Sequence, residues 1–95
     1  MSGMFDAPRG TAGYGKVAID AGAVALPIPV GTPPPGAVLL ISRGANAYWR
    51  DDGTDPTVVD GFPLIADNTF FYVGDLSKFK VIGDAGSTLH CSFYY

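Results

Sequence analysis

Glycine and proline interrupt this chain so often that its longest stretch free of both is ten residues, Leu64 to Val73. An α-helix averages about 11–12 residues, and an internal Gly costs it about 1 kcal/mol and an internal Pro about 3. With 13 Gly and 8 Pro among 95 residues, a helix-rich fold is excluded. The acidic residues point the same way: all nine are Asp and none is Glu. Asp bonds to nearby backbone and suits turns and caps, whereas Glu is the better helix former. What remains is one small domain built from strands and turns.

The apolar pattern supplies the strands. Ala37 to Arg43 (AVLLISR) is a near-continuous apolar run of strand length, suited to a central position covered on both faces. Asn46 to Arg50 follows after a tight connection. Thr69 to Val73 (TFFYV) and Lys78 to Gly83 flank Gly74-Asp75-Leu76-Ser77, a four-residue turn. Alternation puts Lys78 and Lys80 on one face of their strand, with Phe79 and Val81 on the other. In the last strand, Ser87 to Tyr94, Leu89, Cys91 and Phe93 face one way, while Thr88, His90, Ser92 and Tyr94 face the other.

Most of the Gly and Pro lie in residues 1–36, which read as an extended N-terminal arm with one or two edge strands. Lys16 to Asp20 and Val24 to Pro29 are the strand candidates there. Pro27 and Pro29, two residues apart, withhold their N–H from the same side, which marks an edge. Thr32-Pro33-Pro34-Pro35-Gly36 is a stiff connector into the Ala37 strand. The expected fold is all-β: a small antiparallel β-sandwich or barrel-like domain, with residues 37–95 as its core and residues 1–36 as its arm.

The charge pattern narrows the partners. The formal net charge is −3, and the six basic residues never form a run. Neutralising a phosphate backbone takes a dense basic patch, so nucleic acid is not an expected partner. No stretch approaches the 18 or more apolar residues of a membrane span, and no secretory signal is visible at Met1–Asp6. A single cysteine, Cys91, fits synthesis in a reducing compartment, the cytoplasm.

Reactive chemistry is sparse. Gly10-Thr11-Ala12-Gly13-Tyr14-Gly15-Lys16 matches a phosphate-cradling loop only formally. Val17 stands where Mg²⁺ coordination needs Ser or Thr, and no strand precedes the glycines. Asp51-Asp52-Gly53-Thr54-Asp55 gathers carboxylates, but a helix-flanked calcium loop ends in a bidentate Glu. A turn in which Asp side chains cap backbone N–H groups and Gly53 takes positive φ is the favoured reading; an irregular calcium site that adds Asp60 or Asp67 is the alternative. His90 is the only histidine, which excludes a His-rich zinc site. No nucleophile elbow is present, and Cys91 reads as a small core residue. The expectation is a chain with no catalytic residues, no metal and no cofactor.

The aromatics are more informative. Phe70-Phe71-Tyr72, Tyr48-Trp49 and Phe93-Tyr94-Tyr95 are consecutive, so whichever face of each strand is inward, the outward one also carries a ring. A 95-residue domain cannot bury both faces of all its strands. Tyr48, Trp49, Arg50, Phe71, Tyr72, Tyr94 and Tyr95 are therefore the candidate interface, of residue types enriched where proteins meet.

Four segments together resemble a known group: Ala47-Tyr48-Trp49-Arg50-Asp51-Asp52-Gly53-Thr54-Asp55-Pro56-Thr57, Gly61-Phe62-Pro63-Leu64, Phe71-Tyr72-Val73-Gly74-Asp75-Leu76-Ser77-Lys78-Phe79-Lys80-Val81-Ile82, and the ending Leu89-His90-Cys91-Ser92-Phe93-Tyr94-Tyr95. The chain over residues 37–95 resembles small virion proteins of tailed bacteriophages, with Arg-Asp-Asp-Gly and Gly-Asp-Leu-Ser as the most specific parts. The resemblance implies a β-sandwich structural protein of the capsid, a decoration or cement protein. Its partners would be the major capsid protein and copies of itself, taken as a trimer. A head–tail connector or tail/fibre component is the nearest alternative. From a different class, a carbohydrate-binding β-sandwich could use Tyr48, Trp49 and the Asp51-Asp52 turn.

Overall fold

The structure, a computed structural model, describes residues 10–31, 33–84 and 86–95. The first nine residues of the expected arm, and Thr32 of its connector, lie outside the described residues. The rest form eight strands: β1 (Thr11–Ile19), β2 (Val24–Ala25), β3 (Ala37–Arg43), β4 (Ala47–Arg50), β5 (Phe62–Leu64), β6 (Thr69–Val73), β7 (Lys80–Gly83) and β8 (Ser87–Tyr94). They make two four-stranded antiparallel sheets, ordered β1-β8-β3-β6 and β2-β7-β4-β5. The fold is all-β, as the Gly/Pro punctuation requires.

The strands that the apolar pattern marked most clearly carry the core. β3 lies between β8 and β6, and its inward Val38 and Leu40 are fully buried, as are Leu89, Cys91 and Phe93 of β8. From the second sheet come Ala47, Leu64, Val81 and, just before β7, Phe79. Ser42 is also fully buried, and its hydroxyl donates to the Ala45 carbonyl at 2.7 Å, so the buried polar atom is satisfied at the turn into β4.

Four details depart from the sequence pattern. β1 begins at Thr11 rather than Lys16, so Gly13 and Gly15 lie within a strand and not in a flexible loop. Only Val24 and Ala25 of the expected Val24–Pro29 strand pair with β7, and the prolines that follow pack over β1 instead. Both β1 and β2 are edge strands, as their position in the arm suggested. Lys78 is not in β7. Residues Leu76–Lys78 form a 3₁₀ turn, because the Asp75 side chain accepts from Ser77 N (3.0 Å) and Phe79 N closes on the Leu76 carbonyl (3.2 Å). Phe79 and Val81 nevertheless face inward as expected, both fully buried. Finally, β4 starts at Ala47, since the Asn46 side chain turns aside to accept from Ala66 N at 2.8 Å.

Candidate functional site

Pairing register decides which member of each aromatic pair is inside. Tyr72 lies opposite Val38 and Phe70 opposite Leu40, so these two rings join the inward face of the first sheet and Phe71 points out. In β4, Trp49 lies opposite Val81 and turns inward, leaving Tyr48 outside. In β8, Phe93 is buried and Tyr94 faces out.

The inward rings meet. Trp49 stacks on Phe79 with centroids 4.9 Å apart and planes at 11°, and lies 5.2 Å from Phe70 and 5.7 Å from Tyr72. Trp49 and Tyr72 thus hold the two sheets together and are only partly exposed. The remaining five candidates divide between the two sheets: Phe71 and Tyr94 lie in the first, with Tyr95 just past the end of β8, and Tyr48 and Arg50 lie in the second.

The outer face of the first sheet can be followed across its register. One row runs Tyr14, Ser92, Leu39, Phe71; the next runs Lys16, His90, Ile41, Thr69. Beside Phe71, Val73 and Tyr94 extend the surface, and the Phe71 and Tyr94 rings are 6.0 Å apart. Tyr14, Phe71 and Val73 are 64%, 48% and 54% exposed, so large apolar side chains stand out on this face among Ser92, His90 and Thr69. The Tyr14 hydroxyl and His90 Nδ1 lie 2.5 Å apart across it. Its strand residues include no acid, and its cations sit at the margins: Lys16 on the edge strand, and Arg43 at the end of β3, bonded to Asp67 at 2.9 Å.

The second sheet carries a groove and the Asp-rich turn. Tyr48 and Ile82 help line a groove of about 460 Å³ with Asn46, Val58 and Asp84. Past it, the Arg50-Asp51-Asp52-Gly53 turn is built as the Asp-rich segment suggested. Gly53 has φ +82°, and Asp52 accepts both from Thr54 N (3.1 Å) and from the Arg50 guanidinium. Those bonds hold the Asp52 carboxyl down at about 2, the Arg50 contact being the larger cause. Among the described residues, no three His, Cys, Asp or Glu side chains converge to hold a metal ion. The residues that match a phosphate loop form strand β1, with exposed Lys16 beside His90. Burial pushes the Cys91 thiol up to about 12, which keeps it protonated and unreactive in the fold.

One contact ties the Asp turn to the aromatic core: the Tyr72 hydroxyl donates to Asp51 Oδ2 at 2.7 Å. The carboxylate favours the protonated phenol and pushes Tyr72 from 10.0 up to about 12. Below pH 10 the phenol is protonated in both folded and unfolded chains, and the contact contributes fully. Between pH 10 and about 12 the unfolded chain ionises first, so stability falls across that window. Asp51→Asn is expected to bring Tyr72 back toward 10 and flatten the fall, read by ultraviolet tyrosinate titration alongside urea denaturation. An unchanged titration would show that Asp51 does not set it.

Among the described residues, no helix is long and apolar enough to cross a membrane. Comparison with protein families, curated proteins and solved structures finds no match to this chain.

Proposed function

We propose that this chain is a structural subunit of a tailed-phage particle, a cement protein that binds and stabilises the major capsid protein shell alongside copies of itself. The observation that carries the reading is the outer face of the first sheet, which presents Tyr14, Leu39, Ile41, Phe71 and Tyr94 around the uncharged Ser92 and Thr69 and beside His90, with Lys16 and Arg43 at its margins. Such a surface is costly to leave in water and is used when a neighbour covers it. The phage-protein resemblance of residues 37–95 supplies the kind of neighbour. The role requires no catalytic group and no cofactor; it places the protein in the virion after synthesis in the host cytoplasm.

The test compares particles assembled with and without the protein during heating. Particles lacking it are expected to lose their contents at a lower temperature, and adding the purified protein back should restore the difference. Equal stability removes the cement role. Copy number then separates the shell from the head–tail connector or tail: many copies spread over the capsid, against a small ring on the tail axis.

The groove beside Tyr48 favours a second reading, a carbohydrate-binding module, with Tyr48 as the stacking ring and Asn46 and Asp84 as polar contacts. Trp49, turned into the core, does not contribute to it. A glycan screen in which Tyr48→Ala changes nothing removes this reading.

A further inference from the structure

The sandwich has four edge strands among the described residues, and three are blocked in recognisable ways. β2 is two residues long and runs into Pro27 and Pro29. β5 is three residues long and contains Pro63. β1 is longer, but carries the exposed charge of Lys16 and a register irregularity between Thr11 and Gly13. Short length, proline, charge and bulges are the devices by which edges refuse further strands. The fourth edge, β6, has none of them. Thr69-Phe70-Phe71-Tyr72-Val73 is five residues of high β-propensity with no charge, no proline and no glycine, and its members are exposed or only half-buried.

We propose that β6 is a self-pairing edge: two copies of this chain join their β6 strands antiparallel about a two-fold axis at Phe71, merging their first sheets into one of eight strands. The sequence of β6 is what selects a second copy as the occupant. Antiparallel pairing centred on Phe71 sets Phe71 against Phe71, Phe70 against Tyr72 and Thr69 against Val73, which are favourable cross-strand pairs with no charge to repel. The same axis keeps inward residues inward, so the half-buried Phe70 and Tyr72 gain cover and Phe71 is covered by its counterpart. Because the other three edges are blocked, the pairing closes at two copies and does not propagate as a fibre. It gives a dimer, in place of the trimer expected at the outset, and it holds whether or not the protein sits on a capsid.

Five residues per strand bury well under the standard interface of about 1,600 Å², so the dimer is weak and reversible, with Kd on the order of 10–100 μM. Sedimentation velocity of the purified chain over a concentration series is expected to show monomer giving way to dimer. Phe71→Lys and Phe71→Glu each place like charges across the axis and should weaken dimerisation at least about tenfold; mixing the two variants should restore it. Phe71 points outward, so both variants should keep the wild-type circular dichroism; should either unfold, Thr69→Lys on the same outer face replaces it, again with loss of dimer expected. A wild-type chain that stays monomeric throughout overturns the proposal, as does a dimer that Phe71→Lys leaves unchanged. Equal dimerisation of the separate and mixed variants would also overturn it.

Discussion

Phe79→Ala is expected to remove about 3–5 kcal/mol of folding stability, the range for truncating a buried aromatic. Phe79 is fully buried, stacked on Trp49 at 4.9 Å and met edge-on by Tyr72 at 5.0 Å. Its ring lies between Trp49 of the second sheet and Tyr72 of the first, and its backbone closes the 3₁₀ turn into β7. At roughly 0.05–0.15 kcal/mol per residue a chain of 95 residues has about 5–14 kcal/mol in all, so this one ring accounts for about a fifth of it or more. The chain has one tryptophan, and it lies against the deleted ring, so intrinsic fluorescence reports unfolding and local repacking together. Phe62→Ala is the matched control. Phe62 also touches Trp49, with centroids 5.0 Å apart, but is 60% exposed, and its truncation should cost about 1 kcal/mol or less. If both variants lost the same stability, ring contact rather than burial would be the governing quantity.

Where the sequence could be read correctly, a strand's own pattern decided its place. β3, β6 and β8 fall at the bounds their apolar runs indicate, and the inward Leu89, Cys91 and Phe93 follow from alternation alone. Reading failed where the deciding partner is remote in sequence. β5 is three residues with a proline in the middle; it becomes a strand only because β4 offers it a ladder. Nothing local to Tyr48-Trp49 says which ring is inside, since that is set by pairing with Ile82 and Val81 of β7. Alternation did guarantee that one ring of each pair faces out. The candidate interface was therefore legible as a set of pairs, while the register chose Tyr48, Phe71 and Tyr94 over Trp49, Tyr72 and Phe93.

The same limit applies to the Gly/Pro-rich start, whose composition suggested an extended arm. In the fold, two glycines two residues apart in β1 meet two prolines two residues apart after β2. A Cβ on Gly13 would lie 2.9 Å from Pro29 Cγ, and one on Gly15 would lie 3.1 Å from Pro27 Cγ. Strand alternation puts both glycines on the inward side of β1, opposite Phe93 and Cys91. Their missing side chains leave the space that the proline rings fill. Composition gives each residue a local meaning, flexibility for Gly and stiffness for Pro; their function here is complementary shape.

Gly13→Ala should therefore destabilise the protein by about 2–4 kcal/mol, from overpacking against Pro29 and from backbone strain. Gly13 has φ +149°, which L side chains rarely adopt, so relieving the contact does not relieve the backbone. Gly15→Ala faces the Pro27 carbonyl oxygen at 3.3 Å as well as the ring, but has no such φ; about 1–2 kcal/mol is expected. Urea denaturation of both variants and of Gly13→Ala/Pro29→Ala separates the contributions. Removing the Pro29 ring should return the overpacking part of the Gly13→Ala loss and leave the backbone part, a coupling of about 1–2 kcal/mol between the two sites. Additive losses would mean that the proline ring and the glycine do not share the space. A Gly13→Ala variant as stable as wild type would mean that neither the proline contact nor the backbone at Gly13 constrains this part of the chain.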